Sequence, residues 1–347
     1  MRGSFLHLKP NHEHKEHIMM NRLRRTLVTG LVGAMGMVGL STTAYAQEKL
    51  KWAHNYDVTT PYHKATAWAA DEIRRLTSGK WDITVFPNSS LGAEATLNES
   101  LLIGGVDILI GGPSFAARGY PRIGISYYPF IFDDADHLMR YSKSDVFKEI
   151  SEEFKKKTGI HIAAYTYYGA RHTTTSQKVF TNCAQMAGMK IRVPPAPAYT
   201  AMPRACGANP TPVAFAEVYL ALQNKTVDGQ ENPLPTIQSM KFFEVQKAIM
   251  LTGHIVDGVI TQIGPHVWKR LSEAERGIFE RVMQEAAARA TEEVKKEERE
   301  LVAFFKGRGL EVVDVDKDSF RNAILKNVPP ESMGFTQSDY NRIRALR

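Results

Sequence analysis

The sequence predicts an α/β protein built in two parts, and three observations carry this. Strand-like and helix-like segments alternate from Lys49 onward, the alternation restarts after a charged helix at Asp145 to Lys157, and one very long helical stretch runs from Ser272 to about Lys306. The length of 347 residues suits about two domains. A content of 43% hydrophobic and 23% charged residues is the balance of a soluble chain with a sizeable core.

The first half reads in order as follows. Lys49 to His54 is a strand and Tyr62 to Leu76 an amphipathic helix stopped at Ser78-Gly79. Trp81 to Phe86 is a strand ended by Pro87-Asn88, Ala93 to Ile103 is helical, and Ile108 to Ile110 is a buried strand running into Gly111-Gly112-Pro113. In the second half, Ile160 to Tyr165 is a strand that leads into Tyr167-Tyr168-Gly169-Ala170-Arg171, and Met189 to Val193 is another, ended by Pro194-Pro195. Tyr199 to Cys206 and Phe215 to Leu222 are short helices. Ser272 with Glu275 forms a capping box for the long helix, and Gly307 and Gly309 stop it. That helix suits either a coiled-coil arm or a span across the backs of two lobes. Ligands of α/β sheets gather at the carboxyl ends of strands, which points to the loops at Tyr56, at Gly112 to Phe115 and after the later strands.

Residues 1–46 read as a leader and signal peptide rather than part of this fold. Arg22, Arg24 and Arg25 precede an apolar run from Leu27 to Leu40, then Ala44-Tyr45-Ala46 before a cut at Gln47. The run spans about 21 Å as a helix, short of the ~30 Å hydrocarbon core. Export to the periplasm is therefore expected, with no stable membrane span and no cysteine near the cut to carry a lipid. The histidines His7, His12, His14 and His17 fall in the removed leader. The leader holds six Lys/Arg and two Asp/Glu, so of the formal +7 it takes +4 and leaves +3. Basic residues are scattered without an aromatic-interleaved stripe, which excludes nucleic acid as a partner. Cys183 and Cys206 would pair in an oxidising compartment or persist as two buried thiols.

Three residues stand out as candidate binding groups. In Lys190-Ile191-Arg192-Val193-Pro194, Arg192 projects to one face of a strand while Ile191 and Val193 project to the other. A planar guanidinium there is a bidentate seat for a carboxylate, or else an edge-strand or salt-bridged residue. Arg171 follows a strand and a glycine. Asn232 precedes Pro233, which holds it extended and favours an exposed turn.

The set Phe86-Pro87, Leu91-Gly92, Gly105-Val106-Asp107, Pro129-Phe130, Gly169 to Arg171, Lys190 to Pro194 and Asp228 to Pro233 resembles the solute-binding proteins of TRAP (tripartite ATP-independent periplasmic) transporters, of the DctP type. The resemblance runs from about Leu50 to the end of the long helix. It implies a two-lobed periplasmic-binding-protein fold with crossing strands and a long helix spanning both lobes. It also implies closure on a small organic acid anion and delivery to membrane permease subunits. By the same resemblance Arg192 matches the carboxylate-binding arginine, Arg171 a second ligand-contacting arginine, Asn232 a pocket asparagine and Phe215 an aromatic wall. His54 and Tyr56 stand at the first-lobe end of the cleft, and Tyr168 joins the aromatic residues that could line it. Expected lobes are 49–168 plus 257–296, and 169–256 plus 297–347, in a monomer without metal or cofactor.

Two rival readings remain. One is a binding protein serving a sensor or a different transporter. The other is a secreted hydrolase or lyase using His254 and Asp257 as an acid–base pair. No His-Glu-x-x-His spacing, Gly-x-Ser-x-Gly elbow or phosphate loop supports an enzyme.

Overall fold

The computed structural model describes residues 46–347, so the basic cluster and the apolar run read from the leader lie outside the described residues. Strand β1 (Glu48–Ala53) opens the sheet. Helix α1 (Pro61–Leu76) is capped by the Thr60 side chain, which accepts from His63 N–H, and buries Tyr62, Ala65, Thr66, Ala69, Ala70 and Ile73 along one stripe. β2 (Trp81–Phe86) and β3 (Ile108–Gly111) flank β1 in parallel, with helix α2 (Glu94–Ile103) between them in sequence. Ser144 caps helix α3 (Asp145–Thr158), which ends on left-handed Gly159. These elements agree with the sequence reading to within a residue or two at each end.

The next strand does not. β4 (His161–Thr175) passes straight through the segment expected to end it at Tyr165. Gly169 allows this: its φ of 122° accompanies a register shift between Tyr167 and Gly169, and a Cβ there would lie 2.6 Å from Pro233 Cβ. The second half of the chain supplies β5 (Lys190–Val193), β6 (Asn209–Pro212), β7 (Gly229–Pro233), β8 (Ala248–Met250) and β9 (Val256–Ile263). β9 was not anticipated because all eight residues are buried, which leaves no polar alternation to read. The strand order is β2-β1-β3-β9-β4-β7-β5-β6. The early part of β4 pairs antiparallel with β9, while Arg171 to Thr175 pair with β7 and, from Thr173, also with β8. β4 thus links the β1–β3 half to the β5–β7 half, with Arg171 at the junction. β5 lies between β6 and β7, so Arg192 is on an interior strand and the edge-strand alternative is set aside.

Helix α4 (Glu273–Gly307) starts with the expected capping box at Ser272 and Glu275. Its 35 residues span about 52 Å. Phe279, Val282, Met283 and Val294 belong to a core with Trp52, Tyr62 and Ile83; Leu301 and Phe305 belong to a separate one with Val218, Leu234 and Phe242. The helix therefore spans two cores and is no free coiled-coil arm. β10 (Glu311–Val313) pairs with β8, and helix α5 (Lys317–Asn327) follows. The last helix, α6 (Gln337–Arg344), departs from the expected grouping of 297–347 with 169–256. Arg122 holds Asp339 at 2.7 Å, Arg342 holds Glu149 at 2.9 Å, and Arg344 holds Asp133 at 2.8 Å, so the chain end lies against the first half. The cysteines form a Cys183–Cys206 disulfide that brackets β5 in sequence.

Candidate functional site

A cavity opens where the two halves meet. The ends of β1 and β3 and the first turn of α2 supply Asn55, Tyr56, Glu94 and Gly112 to its wall. Arg192, Pro194, Phe215 and Asn232 line it from the β5–β7 side, and Arg171, Tyr168 and Asp257 come from the crossing strands. Gly112 has no room for a side chain, since a Cβ would sit 2.8 Å from the Tyr127 hydroxyl.

Arg192 is the least satisfied charge in this wall. Only 1% of it is exposed, its Nε and Nη2 both donate to Val213 O at 3.0 and 2.7 Å, and its Nη1 is buried with no partner. Burial pulls its pKa down to about 10, which leaves it cationic at neutral pH. Among the described residues no acid forms a salt bridge with it. An anion offered to Nη1 would therefore meet a preformed donor with little competition.

Arg171 is the opposite case: it also lines the cavity, but its charge is paired within the protein. Its Nη1 donates to Asp257 Oδ2 at 2.7 Å. Its Nη2 donates to Glu231 Oε1 at 2.8 Å, Glu231 O at 2.7 Å and Asn232 Oδ1 at 3.1 Å, while Nε donates to Glu231 Oε2. The Tyr199 ring lies 4.9 Å from its guanidinium. Each nitrogen of this fork has at least one partner within the protein. Although burial works the other way, Arg171 and His254 hold the Glu231 carboxyl below its ordinary range.

Asn232 is also not the exposed turn that Pro233 suggested. It is 2% exposed, within β7, and its amide donates to Gln230 Oε1 at 2.6 Å while its oxygen accepts from Arg171. It lines the cavity beside Arg171. Phe215 and Tyr56 line the cavity as expected. Tyr168 lines it too, its hydroxyl accepting from Thr236 Oγ1 at 2.8 Å. His54 does not line it: the ring is fully buried behind Tyr56, with ring centroids 5.6 Å apart, and accepts from Tyr56 N–H through Nδ1. A short loop turns this side chain inward while its neighbour Asn55 meets the cavity.

The acid–base pair of the rival enzyme reading is not assembled. Asp257 is held by Arg171, while His254 meets Glu231 at 3.2 Å and Thr252 at 2.9 Å. Burial lowers the His254 pKa. No group of His, Cys, Asp and Glu fit to hold a metal ion occurs among the described residues, and no described helix is long and apolar enough to cross a membrane.

Sequence reading missed Asn55, Glu94, Tyr127 and Tyr199 in this wall. Glu94 follows Leu91-Gly92 at the start of a helix, a place where its carboxylate is ordinarily a solvated first-turn residue. Here Oε1 accepts Gly112 N–H at 2.6 Å, and burial pushes its pKa up to about 7. Asp257 is pushed up by burial to about 6, even against Arg171.

Two α/β halves joined by crossing strands, with a polar-studded cavity at the junction, define a two-lobed binding protein. Residues 52–329 match the family described as bacterial extracellular solute-binding protein, family 7, and the chain belongs to that family. Its relatives are TRAP solute-binding proteins. A sialic acid-binding periplasmic protein of Vibrio cholerae is 33% identical over 305 residues, covering 88% of this chain and 92% of that protein. Among solved structures, a TRAP periplasmic solute-binding protein from Roseobacter denitrificans with bound 3-deoxy-D-manno-oct-2-ulosonic acid is similar with a TM-score of 0.82 and 28% identity, over 87% of this chain and 100% of that one. Another from a Polaromonas species, bound to D-erythronate, has a TM-score of 0.83 and 29% identity, over 87% and 99%.

Proposed function

We propose that this protein captures a small organic acid anion in the periplasm, seating its carboxylate on Arg192, and hands it to a TRAP membrane permease. The observation that carries this reading is Arg192 Nη1, a buried cationic donor without a partner on the wall of the inter-half cavity. A charge-assisted hydrogen bond is worth roughly 1.5–3 kcal/mol, whereas micromolar binding needs about 8 kcal/mol. The remainder would come from Tyr56, Tyr168 and Phe215 closing over the ligand and expelling water. Arg171 holds the cavity wall in place for Arg192. Named ligands of the relatives, sialic acid, 3-deoxy-D-manno-oct-2-ulosonic acid and D-erythronate, are all acids. The leader would be cut near Ala46 on export. The lobes would be 49–168 plus 257–296, and 169–256 plus 297 to about 334, with α6 carried on the first.

A thermal-shift screen over carboxylic acids tests this, because ligand at 100 times its dissociation constant adds about 2.7 kcal/mol of stability. Acid-selective shifts should appear in the native chain and vanish in Arg192→Ala. Shifts that persist unchanged in that variant would show the anchor to be wrong, and turnover of the acid would reject simple binding.

A further inference from the structure

We infer that the Cys183–Cys206 disulfide is a positioning element of the anion seat, setting how tightly the site binds as well as how stable the chain is. This rests on Arg192 as that seat. The bond closes a loop whose ends lie 23 positions apart. Inside the loop lie β5 and then residues 194–205, which belong to no strand. Four residues of the cavity wall come from this one loop: Arg192, Pro194, Pro195 and Tyr199.

The aim of the seat is set just beyond the second cysteine. Arg192 Nε and Nη2 both donate to Val213 O, which leaves Nη1 as the unpartnered donor. Val213 follows β6, the last strand in the sheet order, whose one strand neighbour among the described residues is β5. Pro210 and Pro212 have no N–H to give, and the strand is held at its ends by Asn209 N–H to Met189 O at 2.7 Å and Val213 N–H to Val193 O at 3.1 Å. Cys206 stands three residues before β6, and the disulfide ties that point to Cys183, in the turn before β5. Further round the loop, Tyr199 packs against Tyr127 and Phe115 of the other half, with ring centroids 5.4 and 6.2 Å apart. Freedom at Cys206 would reach both the carbonyl that aims Arg192 and the ring that completes the wall. Ordering one rotamer-rich side chain on binding costs up to about tenfold in affinity, and the disulfide removes that cost in advance. The fold around the bond has other supports. Both cysteines are buried in a core with Phe180, Met186, Met202 and Phe320. From α5, Ser319 Oγ accepts Cys183 N–H at 3.1 Å and Asn327 donates to Ala205 O at 3.1 Å.

The test compares the full mature chain oxidised, the same chain reduced with TCEP and showing two titratable thiols, and Cys183→Ala/Cys206→Ala, all well below their melting temperatures. Calorimetry with D-erythronate, L-galactonate and sialic acid reads affinity, and hydrogen–deuterium exchange of the unliganded chain reads mobility segment by segment. Opening the bond should weaken the tightest-bound acid by roughly tenfold and raise exchange over residues 190–213 alone, and reoxidation should restore both. Unchanged affinity overturns the inference and leaves the disulfide a stabiliser only. An affinity loss with faster exchange across both halves overturns it as well, and so does unfolding of both the reduced chain and the alanine pair, since the bond would then serve the fold itself. Failure of the seat is read elsewhere: no acid bound by the oxidised chain, or unchanged binding in Arg192→Ala, refutes the seat whatever the state of the cysteines.

Discussion

Arg171 and Arg192 are both buried, both on interior strands and both on the wall of one cavity, yet their surroundings are opposite. Arg171 is enclosed by two carboxylates, a backbone carbonyl and an amide, so its charge is spent inside the protein. Arg192 has a single carbonyl for two of its nitrogens and nothing for the third. Burial costs both about the same kind of desolvation, but only one is repaid within the chain. A fully compensated charge builds the wall; an under-compensated one waits for an external anion.

The largest effect should separate the two residues by stability. Arg171→Ala leaves Glu231 and Asp257 buried without their counter-ion, which should cost about 3–5 kcal/mol in chemical denaturation. Arg192→Ala leaves no acid stranded, so unliganded stability should fall far less than in Arg171→Ala. Equal losses would erase the distinction. Next, Arg192→Ala should weaken acid binding by about 30-fold or more, measured calorimetrically. A ligand affinity lost in Arg171→Ala at full unliganded stability would instead make Arg171 a direct contact.

A smaller effect concerns the pH response of the wall between them. The folded chain holds the Glu94 proton up to about pH 7, above its ordinary value of 4.5, so the native state binds more protons across that window. Its ionisation therefore weakens the fold as pH rises from 4.5 to 7. Glu94→Gln should remove this loss, and the variant should gain stability relative to the native protein between pH 5 and pH 7. A constant difference across that range would mean that the carboxyl is not held protonated. The smallest effect is expected behind the wall: His54→Gln should change acid affinity by less than about fivefold, because the imidazole touches Tyr56 and not the cavity.

Much of the frame was legible before any coordinates. The capping box of Ser272 with Glu275 is a local device, so the start of the long helix could be read within a residue. β4 beyond Tyr165 and all of β9 could not. Gly169 looks like a terminator until Pro233 is seen packed against it, and a strand buried on both faces shows no alternation. In the site, Arg192 was legible from strand direction, Tyr56 from its place after a strand and Phe215 only through the family resemblance; all three line the cavity, as does Tyr168. His54 lies off the cavity wall because adjacent loop residues face opposite ways, and the pairing of Arg171 was not legible because its partners Glu231 and Asp257 lie 60 and 86 positions away.

By itself the sequence determined what is local: the alternation of elements, the capped ends of the long helix, and a strand that turns one arginine away from its β-branched neighbours. The tertiary structure alone decided which arginine stays free. That depends on which acids the crossing strands bring within hydrogen-bond reach of each guanidinium, and desolvation with charge pairing is a property of the assembled interior.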